Sequence, residues 1–102
     1  MPTRHTISYL SIAQKDLTGI INTIAEESAR AAADFVKKLD HHIGLLARHP
    51  RMGVVPKDTV LKSKGYRMLV VGSYLVFYVI LEEKVEIRRV LYAKRNYRFL
   101  LE

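Results

Sequence analysis

The sequence predicts an α+β fold with the element order β-α-α-β-β-β, a helical hairpin packed on a mainly antiparallel sheet. Three observations lead there. Two consecutive stretches in the first half carry apolar residues at helical spacing. Residues 65–92 read as three strands in succession with two tight connections. Helical and extended stretches are segregated rather than alternating, which favours antiparallel pairing over repeated crossovers.

Taken in order, His5 to Leu10 (HTISYL) forms a short first strand with Ile7 and Tyr9 on one face. Ser11 then opens Ser-Ile-Ala-Gln, a capping box in which the Ser11 hydroxyl and the Gln14 side chain satisfy each other's free amides. Ala13, Leu17, Ile20, Ile21 and Ile24 follow on one helical face, with the helix ending near Glu27. Ser28 caps a second helix whose apolar positions are Ala32, Phe35, Val36, Leu39, Ile43 and Leu46. Pro50 stops it, with an end expected near Arg48 or His49. Residues 48–65 are punctuated by Pro50, Gly53, Pro56 and Gly65, so they read as a loop with a short turn around Asp58–Leu61.

The meander begins at Gly65. Tyr74 to Leu81 is an unbroken run of eight apolar or aromatic residues, short and rich in Val, Ile, Phe and Tyr. That composition fits a central strand buried on both faces. Gly72-Ser73 suits a type II′ hairpin, in which Gly supplies the positive φ of the first central position. Glu82-Glu83-Lys84 is a charged tip closing the second hairpin. In the tail, Phe99, Leu100 and Leu101 are expected to dock on the core.

At 102 residues the chain has room for one modest core, so residues 1–102 are expected to form a single domain. No window of ~18 apolar residues exists, so no transmembrane helix is expected. The start MPTRHTISYL lacks the apolar stretch of a secretory signal. The chain has no cysteine, which removes disulfides and thiolate metal sites. The expected location is the cytoplasm.

Charge is unevenly placed. Residues 1–47 hold five cations and five acids, whereas residues 48–102 hold twelve cations and five acids, so the whole +7 sits in the second half. Such asymmetry points to a polyanion or an acidic protein partner.

The catalytic inventory is thin. There is no Cys nucleophile, no Gly-rich phosphate loop and no acid pair at chelating spacing. His41 and His42 diverge by about 100° on a helix and cannot share an ion, so neither a metal nor a cofactor is expected. What remains is arginine, lysine and tyrosine. Arg67 lies in the first strand of the meander, Arg88 and Arg89 in the third, and Lys94, Arg95, Tyr97 and Arg98 beyond it. Alternation puts Arg67, Leu69 and Val71 on one face. Arg88 and Arg89 face opposite sides unless a bulge intervenes. An arginine on a half-buried strand needs an acid or a ligand. For Arg67 the choices are a salt bridge to Glu86 or Asp58, or phosphate binding through its bidentate fork. The candidate target or nucleic-acid contacts are Arg51, Lys62, Lys64, Arg67, Arg89, Lys94, Arg95 and Arg98.

The stretches SIAQKDLTGIINTIAEES, LARHPRMG, GYRMLVVGSYLVFYVI and VEIRRVLYAKRNYRFLL, in this order, resemble the RelE/ParE superfamily of bacterial type II toxin–antitoxin toxins. The resemblance spans nearly the whole chain. It implies a small α+β toxin held in a hetero-oligomer by a cognate antitoxin encoded beside it. RelE-like members cleave mRNA in the ribosomal A site with a basic cluster on the sheet plus a tail arginine and tyrosine. Arg67 and Arg95 fall at two of those cationic positions, but Leu69 and Tyr74 fall at two others and Leu101 falls at the tail tyrosine, with Tyr97 as a displaced substitute. ParE-like members inhibit DNA gyrase without that set, and the aliphatic middle strand and RRVLYAKRNYRFLL are closer to them. The expectation is a ParE-like gyrase inhibitor. The alternative is a ribosome-dependent mRNA endoribonuclease using Arg67, Arg95 and Tyr97, and a third reading is a basic nucleic-acid-binding module without toxicity.

Overall fold

The computed structural model describes residues 4–95, so the expectations placed on Tyr97, Arg98, Phe99, Leu100 and Leu101 lie outside the described residues. The elements are β1 (Thr6–Tyr9), α1 (Ser11–Glu27), α2 (Ala29–Leu45), a short α3 (Thr59–Ser63), β2 (Arg67–Val71), β3 (Tyr74–Leu81) and β4 (Lys84–Tyr92). They form one four-stranded sheet in the order β1-β4-β3-β2. The β2–β3 and β3–β4 pairs are antiparallel, while β1 lies parallel to β4. The helical hairpin is the crossover that makes this parallel pairing sterically accessible.

β3 is the central strand covered on both faces that the sequence predicts. Val76 and Tyr78 point into the main core with Ala13, Leu39, Ile43, Leu46, Leu69, Val71, Val85, Ile87 and Val90, and Ile7, Tyr9, Leu17, Ile20 and Phe35 pack on it. Phe77 and Val79 point the other way, into a smaller cluster with Leu61, Tyr66 and Leu91. The strand reads as continuously apolar because both of its faces are covered.

Two helix ends differ from expectation. The N-cap of α1 is Leu10, not Ser11, and no side chain caps it. The reason is the strand before it: the Leu10 amide donates to the Ile87 carbonyl at 2.9 Å, so the chain passes from sheet into helix with no free residue. Helix α2 stops at Leu45, short of Arg48, because the chain tightens into i→i−3 bonds from the Leu46, Ala47 and Arg48 amides. The Ser28 cap is present, its hydroxyl accepting from the Ala31 amide at 3.0 Å. Asp58 likewise caps α3 through the Val60 and Leu61 amides.

Both hairpins have two-residue loops. Gly72 takes φ +58 and Ser73 does not turn positive, as a II′ turn requires. In the second loop Glu82 adopts φ +54 and is the one non-glycine with positive φ among the described residues. A side chain there costs about 1–2 kcal/mol. Glu82→Gly is therefore expected to stabilise the fold by about 0.5–1 kcal/mol, the larger entropy of the unfolded Gly offsetting part of the relief. Urea titration of the two proteins checks this through the midpoint at constant slope.

Candidate functional site

Three local structures decide what the basic residues can do. The first anchors the loop before α3. Tyr78 is fully buried, and its hydroxyl donates to the Pro50 carbonyl at 2.7 Å while accepting from the Gly53 amide at 2.9 Å. Its cross-strand neighbour Arg67 donates through Nη1 to the Arg51 and Gly53 carbonyls at 3.2 and 2.9 Å. Arg67 thus meets neither Glu86 nor Asp58. Its charge is set against backbone carbonyls, which holds the Arg51-bearing loop against the sheet.

Burial pushes the Tyr78 phenol above its ordinary value of 10.0, against a lowering pull from the Gly53 amide and from Arg67. Tyr9 is raised too, by burial and then by Asp40. For a phenol raised in the folded state, the stabilisation is complete below the unfolded value and disappears as pH climbs through the folded one. Stability is expected to fall as pH rises above about 10, and less steeply in Tyr78→Phe. Urea midpoints from about pH 8 to about pH 11 measure both slopes.

The second structure closes an open edge. β1 covers β4 only as far as Ile87, which pairs with Tyr9. Beyond that point α1 swings in, and Asp16 takes the place of the missing strand. Its Oδ2 accepts from the Val90 amide at 3.0 Å, and its two oxygens accept from Arg89 Nε and Nη2 at 2.7 and 2.9 Å. Both side chains are only 12% exposed. The hydrogen bond to Asp16 is the main reason the Arg89 pKa is raised, since it outweighs desolvation. A register shift lies at the same place: Phe77 faces Arg89 and Tyr78 faces Ile87, so Arg88 is the extra residue of a bulge. The guanidinium of Arg88 lies 5.6 Å over the Tyr66 ring and bonds Glu86 at 3.0 Å. Desolvation lowers its pKa, yet Tyr66 and Glu86 together raise it further. The two adjacent arginines go separate ways, one to the α3 side and one to α1.

The third is an open groove of about 430 Å³ beside this clamp, lined by Lys15, Gly19, Ile20, Tyr74, Tyr92 and Arg95 among others. The rings of Phe35, Tyr74 and Tyr92 form a chain with centroids 5.1 and 5.7 Å apart. Arg95 follows β4 in a turn, its amide donating to the Tyr92 carbonyl at 2.9 Å.

The candidate cations are therefore dispersed. Arg51, Lys62 and Lys64 are exposed on and around the loop and α3, and Lys94 and Arg95 are exposed past the end of β4. Arg67 sits opposite Tyr78, while Arg95 lies just beyond the Tyr74–Tyr92 pair. Four residues of β3 separate those levels, ~13 Å at strand rise. Sequence reasoning missed Asp16, Tyr78, Lys15 and Tyr92. Only Asp16 left a signal: an arginine on a covered strand needs an acid, but this acid lies 73 residues from Arg89 in the chain. Among the described residues no group of three His, Asp or Glu is placed to hold a metal ion, and no helix is long and apolar enough to cross a membrane.

Comparison with known proteins places this architecture. A family model for the ParE toxin of the type II toxin–antitoxin system parDE matches residues 7–97. Toxin ParE1 of Caulobacter vibrioides is 42% identical over 67 residues, a stretch covering 66% of each protein. The chromosomal ParDE toxin–antitoxin system from P. aeruginosa contains a chain of the same fold, with TM-score 0.74 at 15% identity over 90% of this chain and 99% of that one. The toxin–antitoxin complex RelBE2 from Mycobacterium tuberculosis matches with TM-score 0.64 and 25% identity, over 92% of this chain and 98% of its own. Because the family match runs from the first strand past the end of the last, the chain belongs to the ParE toxin family of type II toxin–antitoxin systems.

Proposed function

We propose that this ParE-type toxin inhibits DNA gyrase by binding rather than by catalysis, and that a cognate antitoxin neutralises it in the cytoplasm. One observation carries the reading. The two described cations that mRNA cleavage would need, Arg67 and Arg95, stand at different levels of β3, and Arg67 is directed at the Arg51 and Gly53 carbonyls. In-line cleavage needs cations converging on one phosphate, with an acid and a base in reach. A binding surface has no such requirement, and the exposed Arg51, Lys62, Lys64, Lys94 and Arg95 suit contact with an acidic protein or with DNA.

Induced expression in a bacterium, with pulse labelling of new DNA and new protein, tests the proposal. Early collapse of DNA synthesis with filamentation is the expected result. Early collapse of protein synthesis, with codon-phased cuts in translated messages that Arg95→Ala removes, would favour ribosome-dependent cleavage instead. Growth unaffected by the induced protein would favour a non-toxic nucleic-acid-binding module.

A further inference from the structure

The groove beside the Asp16–Arg89 clamp joins two kinds of group. Lys15 of α1 and Arg95 after β4 bring positive charge to it, and Tyr74 and Tyr92 bring aromatic surface. Tyr92 is 44% exposed. Lys38 adds a cation nearby, its Nζ lying 3.7 Å from the position a Gly72 Cβ would take in the turn before Tyr74. Asp16 is the one acid among the described lining residues, and its oxygens are engaged by Arg89 and the Val90 amide. The groove is therefore electropositive.

Gly19 belongs to the same wall. It stands inside α1, where glycine weakens a helix relative to alanine. A Cβ there would meet nothing within 4 Å, so no packing contact demands the glycine. Its missing side chain leaves the groove open down to the helix backbone.

These features select a ligand. The exposed ring of Tyr92 offers a stacking surface, and every base has a π-face to lay on it. The cations suit phosphate. A volume of about 430 Å³ suits one nucleotide, whereas the bases of a duplex are already stacked and out of reach. A peptide adding to the sheet is disfavoured here, because Asp16 already takes the Val90 amide that an added strand would use.

We propose that this groove holds one unpaired nucleotide of single-stranded DNA, its base on Tyr92 and its phosphates within reach of Lys15 and Arg95. Tyr74 backs the Tyr92 ring edge-on, with centroids 5.7 Å apart, and keeps it in place. The choice of DNA over RNA rests on the gyrase reading, since the groove's chemistry suits either strand.

The test is fluorescence anisotropy of a labelled oligothymidylate of about 12 nucleotides with the wild-type toxin, beside oligouridylate and a DNA duplex of equal length. The single DNA strand is expected to bind at least ~10-fold more tightly than the duplex and to shift the ring resonances of Tyr74 and Tyr92. Tyr92→Ala is expected to weaken it at least ~5-fold, and Lys15→Ala to flatten the salt slope by about 0.7. Gly19→Leu fills the groove, so it is expected to weaken the strand at least ~10-fold while its urea midpoint stays level or rises. Lost binding in that variant is then not a loss of fold. Equal binding of strand and duplex, or a Gly19→Leu protein that binds as the wild type does, would overturn the site and leave the gyrase reading to the supercoiling assay. Tighter binding of oligouridylate would assign the groove to RNA, against the proposal. A clearly lower urea midpoint for Gly19→Leu would show that the chain itself fills the groove, which also overturns it. Strand binding as expected without inhibition of gyrase would support the site and overturn the gyrase reading alone.

Discussion

Asp16→Ala is expected to cost about 3 kcal/mol and to lower Tm by roughly 12–20 °C. The carboxylate meets a guanidinium and a backbone amide at once, in a site where both charged side chains are 12% exposed. Removing it leaves a partly buried cation without its acid and a β4 amide without an acceptor. Asp16→Asn separates the two losses. Its carbonyl can still accept from Val90 but no longer offsets the Arg89 charge, so it is expected to fall about midway. Removing both charges with Asp16→Leu and Arg89→Met should cost less than Asp16→Ala alone, and a double-mutant cycle by urea denaturation measures the coupling. Equal stability of Asp16→Ala and the wild type would show that α1 does not close the β4 edge.

Gly53→Ala is expected to be at least as damaging, at about 3 kcal/mol, for a steric reason. A Cβ at Gly53 would stand 2.6 Å from the Tyr78 hydroxyl and 2.8 Å from the Met68 carbonyl oxygen. Neither can retreat cheaply. The hydroxyl is bonded to Pro50, and the carbonyl belongs to the Val54–Met68 bridge. The loop must therefore leave the sheet, breaking its bonds to Tyr78 and Arg67 and displacing Arg51, Val54 and the covered end of β2. Denaturant titration measures the cost. Hydrogen exchange should show the loss beginning at the Gly53, Val54 and Met68 amides, not in the helical hairpin.

Much of the fold was legible because periodicity is a local property. The helix faces, the Ser28 cap, the Gly72 turn and the doubly covered strand from Tyr74 to Leu81 each follow from neighbours in sequence. What escaped depends on distance. Ser11 reads as a cap, yet Leu10 is already bonded to Ile87 of the last strand, so the helix begins one residue earlier on a backbone bond. The parallel position of β1 beside β4 is likewise a product of the crossover, invisible in the strand's own four residues. The site was legible only as composition. Sequence reading collected the cations but could not assign Arg89 to an acid 73 residues earlier, nor see that Arg67 caps loop carbonyls. Tyr78 looked like any aromatic of a buried strand, and its role depends on where Pro50 and Gly53 return to the sheet.

The central claim, a toxin that acts by binding gyrase, is tested most directly with purified components. Relaxed plasmid, gyrase and ATP are incubated with increasing toxin, with and without the antitoxin, and supercoiling and trapped cleavage complexes are scored on gels. The expected result is loss of supercoiling or accumulation of cleaved plasmid at micromolar toxin, reversed by the antitoxin. Undiminished supercoiling at all toxin concentrations, together with cleavage of mRNA in a translating extract, would contradict it.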